Sequence, residues 1–569
     1  MSRSACSVPI MLLKIVPVLR LVCGRFAMKL PKLSVVFLLL VSLLQPIVAQ
    51  SDPVAEMLIS MTLRQKVGQM FVASFYGPTI NEPTRQFLEA YQPGAVVFLP
   101  SNLENPGQIA RLTNDIQQTL RTAGTVPTFI GVDQEGGIIA HLENGFTRWP
   151  VPTLLTATAD PQLAYSVGMA FAQEMQAVGI NMNLAPVADL YTNPDNPIIG
   201  RRSFGTFPEQ VAPIVTAFAQ GMQAEGVLAV AKHFPGHGDT SADSHVTLPV
   251  VTYDMGRLSA TELVPFMALA QADVGGIMTA HISFPALEPE VGLPASLSGH
   301  IVTDLLRDEL GYDGLVMTDA LDMDAIDTVY SPAEAALMTI EAGSDFVLIG
   351  AHVSPDAQAS AMEAVVAAVE SGQIAEARID ESVRRILSAK QQLGVLDAEP
   401  VDVTFAADAI DLEAHAVLIT QMFEKGTAVA YGGDTIPVAT GALMIYPASQ
   451  PSLWNACAEV GSYQPLGISD RPTPDEITWA QSAVASAEQV VVFTRNLAEN
   501  AQLKELVEGL PLARTIVVAL HSPEDWREID QPQAYVMTYS PLPAAYEPVC
   551  KVLAGTIPAV GQVVINLEP

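Results

Sequence analysis

The side chains best equipped for chemistry stand just after short apolar runs. One run leads into D-Q-E-G-G (133–137), which opens with Asp133, and a later one passes through P-V-A-D-L to N-P-I-I-G-R-R-S-F-G (196–205), which holds Arg202. A third enters A-K-H-F-P-G-H-G-D-T-S-A-D-S-H (231–245), with Lys232, His233, His237, Asp243 and His245. Two more exit into T-A-H (279–281) and M-T-D-A-L-D-M (317–323), the latter carrying Asp319. An Asp at the end of a strand is often the N-cap of the next helix. Capping accounts for the carboxylates but not for Lys232, His233, His237 and His245, so the set predicts a polar site.

Two chemistries compete for it. The three histidines and two aspartates of 233–245 are ligand types for zinc and similar ions, but their spacing matches no metal signature. The other is work on a sugar, in which one carboxylate attacks and a second group protonates the leaving oxygen. A histidine held by a neighbouring carboxylate can be that second group, because an imidazole exchanges a proton near neutral pH.

Positioning such a set needs many strand ends on one face. Eight apolar runs precede residue 351, at 70–75, 95–99, 128–132, 181–186, 227–231, 276–280, 314–318 and 345–349. Each is followed by a turn and an amphipathic stretch, such as 161–178 and 208–225, the cadence of buried parallel strands alternating with helices. Eight such units predict a closed (β/α)8 barrel of the TIM type, whose site is built from the loops at the C-terminal ends of the strands. The last barrel helix is expected at 377–393. Residues 396–410 read as a linker, and 411–569 as a smaller α/β/α sandwich with a parallel sheet. Its strands are expected at 442–446, 490–493, 516–520, 535–538 and 563–565, with helices at 477–487 and 501–510. The barrel is assigned to 53–395.

The chain has 569 residues, 49% of them hydrophobic and 16% charged, which excludes a disordered chain. Its 28 Lys+Arg against 61 Asp+Glu give a net charge of −33, which argues against nucleic acid as a partner. Residues 1–50 differ: they hold six Lys or Arg and no Asp or Glu, and an apolar run at 35–44 precedes a small-residue exit. This pattern predicts a signal peptide, with the true start possible at Met28, and a secreted or cell-envelope location. No integral membrane span is expected in the mature chain, because the run is shorter than the roughly 20 residues a spanning helix needs. Without the leader the chain carries 22 Lys+Arg against 61 Asp+Glu, a net charge of −39. Cys6 and Cys23 fall in the leader, and Cys457 and Cys550 remain as either a disulfide or two buried thiols.

The string K-H-F-P-G-H-G-D-T-S-A-D-S-H-V-T-L-P (232–249), with D-Q-E-G-G, R-S-F-G and T-D-A-L-D-M, resembles the β-N-acetylglucosaminidase branch of glycoside hydrolase family 3. Residues 53–395 resemble the family's barrel. The remainder is similar to its C-terminal sandwich, most clearly in T-I-V-V-A-L-H-S-P-E-D and T-Y-S-P-L-P-A-A. The resemblance implies a retaining glycosidase acting on terminal β-linked N-acetylhexosamine of peptidoglycan- or chitin-derived oligosaccharides, with no cofactor and no metal. Carried over residue by residue, it implies Asp319 as nucleophile and His245 as acid/base with Asp243 as its partner. It implies sugar contacts from Asp133, Arg202, Lys232 and His233.

The chain departs from the family after D-Q-E-G-G, where Ile138 and His141 stand at two positions that are usually arginine. His141 is carried as a shorter sugar ligand. The G-H-G of the 231–245 loop is expected to give the dyad freedom to swing. A β-glucosidase-type or phosphorolytic member of the family, or a noncatalytic cell-wall sugar-binding protein, are the alternatives. The H-G-D-T-S-A-D-S-H loop weighs against the first, the charge of −39 against a phosphate collector, and the joint presence of Asp319, Asp243 and His245 against the last.

Overall fold

The computed structural model describes residues 52–350 and 352–567, so the leader lies outside the described residues. Residues Val54–Pro569 form one compact unit. The eight apolar runs become eight parallel strands: β1 (Phe71–Ala73), β2 (Ala95–Phe98), β3 (Phe129–Val132), β6 (Met182–Asn183), β7 (Leu228–Phe234), β8 (Gly276–Thr279), β9 (Leu315–Thr318) and β10 (Val347–Leu348). They are hydrogen-bonded in the order β10-β1-β2-β3-β6-β7-β8-β9, and a bridge from Met317 to Phe346 closes the ring between β9 and β10. Every residue of β2, β3, β7, β8 and β9 is buried, as strands covered on both faces must be.

The helices begin where short polar caps meet proline. Asp160 Oδ1 accepts from the backbone N–H groups of Gln162 and Leu163 at the head of the helix Pro161–Gln176. Asn105 and Ser354 cap the helices Pro106–Thr122 and Pro355–Glu370 in the same way, each with proline in the first turn. The helices Pro161–Gln176 and Pro208–Ala224 pack backbone to backbone. A Cβ at Gly168 would stand 2.1 Å from the Phe218 carbonyl oxygen, and one at Gly221 2.1 Å from that of Tyr165.

A feature not read from the sequence is the antiparallel hairpin β4 (Gln134–Gly136) and β5 (Ile139–Ala140), formed by D-Q-E-G-G and its continuation. Asn183 of β6 clamps it to the barrel, accepting from Gln134 N at 3.1 Å and donating to Gln134 O at 2.9 Å. The final barrel helix is Glu376–Gln392, and the stretch after it is tied down, with Asn114 exchanging two hydrogen bonds with the Val401 backbone.

The second sheet has six strands: β11 (Ala428–Tyr431), β12 (Leu443–Pro447), β13 (Gln464–Ile468), β14 (Val490–Thr494), β15 (Thr515–Ala519) and β16 (Ala534–Met537). Their order is β11-β16-β15-β14-β12-β13. Three details differ from expectation. The stretch 563–565 is not a strand, and nearby Gly561 makes only an isolated bridge to Ala428. Strand β13, Q-P-L-G-I, contains a proline and a glycine that hide it, and it is a sheet edge, where proline is tolerated. Strand β11 follows a helix with no loop signal and runs antiparallel to β16.

Cys457 and Cys550, left open by the sequence, are bonded, joining the helices Pro451–Val460 and Tyr546–Leu553. The two domains meet around a buried carboxylate. Glu174 of the barrel accepts from Trp149 Nε1 at 3.3 Å and lies 3.0 Å from His415 Nδ1 on the sandwich helix Leu412–Gly426. Among the described residues no helix is long and apolar enough to cross a membrane.

Candidate active site

The C-terminal ends of the barrel strands surround a cavity of about 520 Å³. Asp133, His141, Arg202, Lys232, His233, His245 and Asp319 all line it. Asp243 does not; it stands behind His245, its Oδ1 2.9 Å from His245 Nδ1 and 2.8 Å from the His245 backbone N–H. Seven of the eight residues singled out from sequence therefore meet at one cavity, and the eighth holds one of the seven.

Asp319 follows β9 directly. Its backbone N–H donates to Thr279 O of β8, and its Oδ1 accepts from the Ala320 N–H at 2.8 Å. His233 Nε2 lies 4.0 Å from its Oδ2, and the carboxylate remains 19% exposed. Burial acts to raise its pKa, but the imidazoles of His233 and His281, the Ala320 N–H and the Lys232 ammonium outweigh it and hold the group at about 2. It is an ionised, accessible carboxylate at the floor of a cleft.

Asp189, quoted in P-V-A-D-L but given no role by the sequence, organises the neighbouring histidines. It is fully buried, lies 2.7 Å from His233 Nδ1 and accepts from the backbone N–H of His237 at 2.6 Å. Burial works against its ionisation, yet His233 and His237 keep its pKa below the usual carboxylate range. With Nδ1 committed to Asp189, His233 turns Nε2 toward Asp319.

Glu135 was likewise inside a quoted string without a role. Its carboxylate takes a two-pronged contact from Arg202, Nε to Oε2 and Nη2 to Oε1, both at 2.8 Å. Lys232 Nζ sits 2.8 Å from Glu135 Oε1 and 2.6 Å from Asp133 Oδ1. Burial would raise the Glu135 pKa, but Lys232 and Arg202 pull it down to about 2. Burial would lower that of Lys232, but Asp133 and Glu135 raise it. Two cations and two anions thus balance along one wall, so Arg202 and Lys232 are both ion-paired and cavity-lining.

The 231–245 loop has a fixed root and an open tip. Gly238 is required by close approach: a Cβ there would lie 1.6 Å from the Leu190 carbonyl oxygen. His237 Nε2 is 2.9 Å from Ser244 Oγ and its Nδ1 2.9 Å from Thr240 Oγ1, while Asn196 Nδ2 donates to its carbonyl. Beyond this root the side chains of Asp243 and His245 are 32% and 59% exposed. The glycine expected to give freedom at Gly238 instead gives contact, while Gly236 holds a φ of 138° that L side chains rarely adopt. Among the described residues no three His, Cys, Asp or Glu side chains gather as a metal would require. The ring nitrogens of His237 are taken by Ser244 and Thr240, and His233 Nδ1 by Asp189.

His141 stands at the end of the hairpin, where its backbone N–H meets Asp133 O, and its Nδ1 is buried with no hydrogen-bond partner among the described residues. The cavity is also lined by Asp322 and His352, which the sequence did not single out; the His352 N–H donates to Asp322 Oδ2 at 2.7 Å, and Tyr76 Oη lies 3.0 Å from His352 Nδ1. Burial, with the charge of Asp319, raises the Asp322 pKa against the pull of that N–H.

Comparison with known proteins agrees with this arrangement. Residues 62–389 match the glycosyl hydrolase family 3 N terminal domain. Beta-hexosaminidase A of Pseudoalteromonas piscicida is 35% identical over 334 residues, 55% of this chain and 56% of that protein, so the match spans little more than half of that relative. A beta-hexosaminidase of Alkalilimnicola ehrlichii is 36% identical over 282 residues, 48% of this chain and 79% of that protein. Among solved structures, a glycoside hydrolase family 3 beta-N-acetylglucosaminidase from Paenibacillus sp. str. FPU-7 superposes with a TM-score of 0.77 at 36% identity, covering 90% of this chain and 99% of that one. Both domains are thus matched in order, and the chain belongs to glycoside hydrolase family 3.

Proposed function

We propose that the protein is a retaining β-N-acetylhexosaminidase that removes terminal non-reducing β-linked N-acetylglucosamine from peptidoglycan- or chitin-derived oligosaccharides. The observation that carries this reading is one cavity lined by an ionised, solvent-reachable Asp319 and by His245 on its exposed loop tip, with Asp243 behind the imidazole. The names of the relatives support the sugar class.

In this reading the His245 imidazolium gives its proton to the glycosidic oxygen as the Asp319 carboxylate attacks C1. The C1–O bond breaks, the aglycone leaves with the proton, and a glycosyl ester forms. Neutral His245 then takes a proton from water, whose oxygen attacks C1 and returns Asp319 as carboxylate. Asp243 orients the ring and stabilises its charged form. Asp133, Lys232, Arg202, His233 and His141 grip hydroxyls and the acetamido group, and Asp189 keeps His233 in register. Movement of the loop tip over bound sugar is part of the proposal, with the root through Gly238 remaining fixed.

An extracytoplasmic location is proposed on the basic, apolar leader and gains support from the Cys457–Cys550 bond, since such bonds persist in oxidising compartments. The test is hydrolysis of chromogenic β-GlcNAc and β-glucoside substrates side by side, with Asp319→Ala as control and the anomer released followed by NMR. Preference for the glucoside would overturn the specificity. An inverted product, or equal activity in the variant, would overturn the mechanism.

A further inference from the structure

A second cavity, of about 260 Å³, lies wholly in the sandwich domain. In chain order β12, β13, β14, β15 and β16 form the parallel part of the sheet, and their spatial order is β13-β12-β14-β15-β16. The order reverses between β12 and β14, since the chain goes outward to β13 and then returns to build the other side. Open α/β sheets bind ligands in the crevice outside the carboxyl ends of the strands at this reversal. The cavity sits there: Pro447 ends β12, Ile468 ends β13, Arg495 follows β14 and His521 follows β15, and all four line it.

Its charged lining is evenly balanced, Arg471 and Arg495 against Asp470 and Glu499, where the molecule as a whole is strongly acidic. In a chain with 28 Lys+Arg against 61 Asp+Glu, this small crevice gathers Arg471 and Arg495, with Arg201 of the barrel in contact with its His521. Arg471 is exposed at the rim and makes no ion pair among the described residues. Arg495 has only a loose pair with Asp470 at 4.0 Å, and that carboxylate is already accepting from Ser449 Oγ at 2.8 Å. His521 is held near 4, first by burial and then by the charges of Arg201 and Arg495. Asp470, Glu499 and Asn496 add acceptors and an amide around the guanidinium groups.

We propose that this crevice binds an acidic monosaccharide, a sugar carrying one carboxylate or one phosphate. Unspent guanidinium donors suit a single oxyanion, which they can hold in a forked geometry. The mixed carboxylate and amide lining suits hydroxyls, and the volume admits one sugar ring. The site stands apart from the barrel cavity but one residue from its wall, because Arg201 touches His521 while Arg202 binds Glu135.

Calorimetric titration of the full-length protein with N-acetylmuramic acid, N-acetylglucosamine 6-phosphate and neutral N-acetylglucosamine tests this. At least one acidic sugar is expected to bind saturably, and which one binds distinguishes carboxylate from phosphate. Its Kd should rise at least tenfold in the Arg471→Gln/Arg495→Gln double variant, while the neutral sugar binds both proteins alike. Arg495→Lys, which keeps the charge and loses the fork, should give an intermediate loss. The proposal is overturned if neither acidic sugar binds the wild type, or if the double variant binds them as well as the wild type does.

Discussion

Glu135 and Arg202 face each other through two parallel 2.8 Å hydrogen bonds, and the buried Lys232 completes the neutralisation of the same carboxylate. Removing one partner of such a group leaves charge without compensation in a dry place. Glu135→Gln should therefore lower the unfolding free energy by about 3 kcal/mol and raise KM, because the cations proposed to grip the sugar lose their fixed positions. Urea unfolding checks the first and steady-state kinetics the second. A variant as stable as wild type would show that the pair is not compensated as its geometry implies.

Acid sensitivity should come in two steps of the same sign. His237, held at about 4 in the folded protein by burial and by His233, has an ordinary value of 6.5. Between those values the unfolded chain binds the extra proton, so stability falls as pH drops from 6.5 to 4. Glu135, at about 2 against an ordinary 4.5, adds stability above 4.5 that is lost as pH falls toward 2. Each step is on the order of 3 kcal/mol. Unfolding free energy measured against pH should show both, and His237→Asn should shrink the upper one, leaving the share of His521, which is also held near 4.

If His245 protonates the leaving oxygen, the cost of losing it depends on that oxygen. For His245→Ala, kcat/KM should fall about 10²- to 10⁴-fold on chitobiose, whose leaving alkoxide needs the proton. It should fall far less on a nitrophenyl glycoside, whose leaving group departs unaided. Asp243→Asn should show the same pattern in weaker form. Equal losses on both substrates would remove His245 from the acid role.

The bond between Cys457 and Cys550 spans 93 residues of sequence. Replacing both cysteines with serine should cost the protein roughly 2–5 kcal/mol. The loss should appear as a lower midpoint for the sandwich domain in thermal unfolding, with hydrolysis at 25 °C retained. An unchanged midpoint would show that packing around the buried helix Tyr546–Leu553 suffices without the bond.

Much of the barrel could be read before it was seen. Its strands are short, continuous and buried on both faces, so apolar runs such as A-V-V-F and L-V-M-T mark them without needing alternation. The edges of the sandwich could not. In Q-P-L-G-I the first two residues are exposed, and the strand is held by its partner β12 rather than by its own hydrophobicity. The residues expected at the cavity come together because the segments that carry them leave the C-terminal ends of the barrel strands, Asp133 and Asp319 directly and Arg202 and His245 farther along their loops.

Residue type and order alone predicted that carboxylates, a lysine and histidines would converge, while the grouping of Asp319 with Asp243 and His245 is what the family resemblance implies. Only the tertiary structure decided the division of labour. Glu135 and Asp189 were visible as letters, but their roles rest on partners 67 and 44 residues away. Gly238 was read as freedom and is contact, because what it touches, Leu190, comes from another loop. Charge compensation and close approach depend on distances through space, and those are set only when the barrel closes.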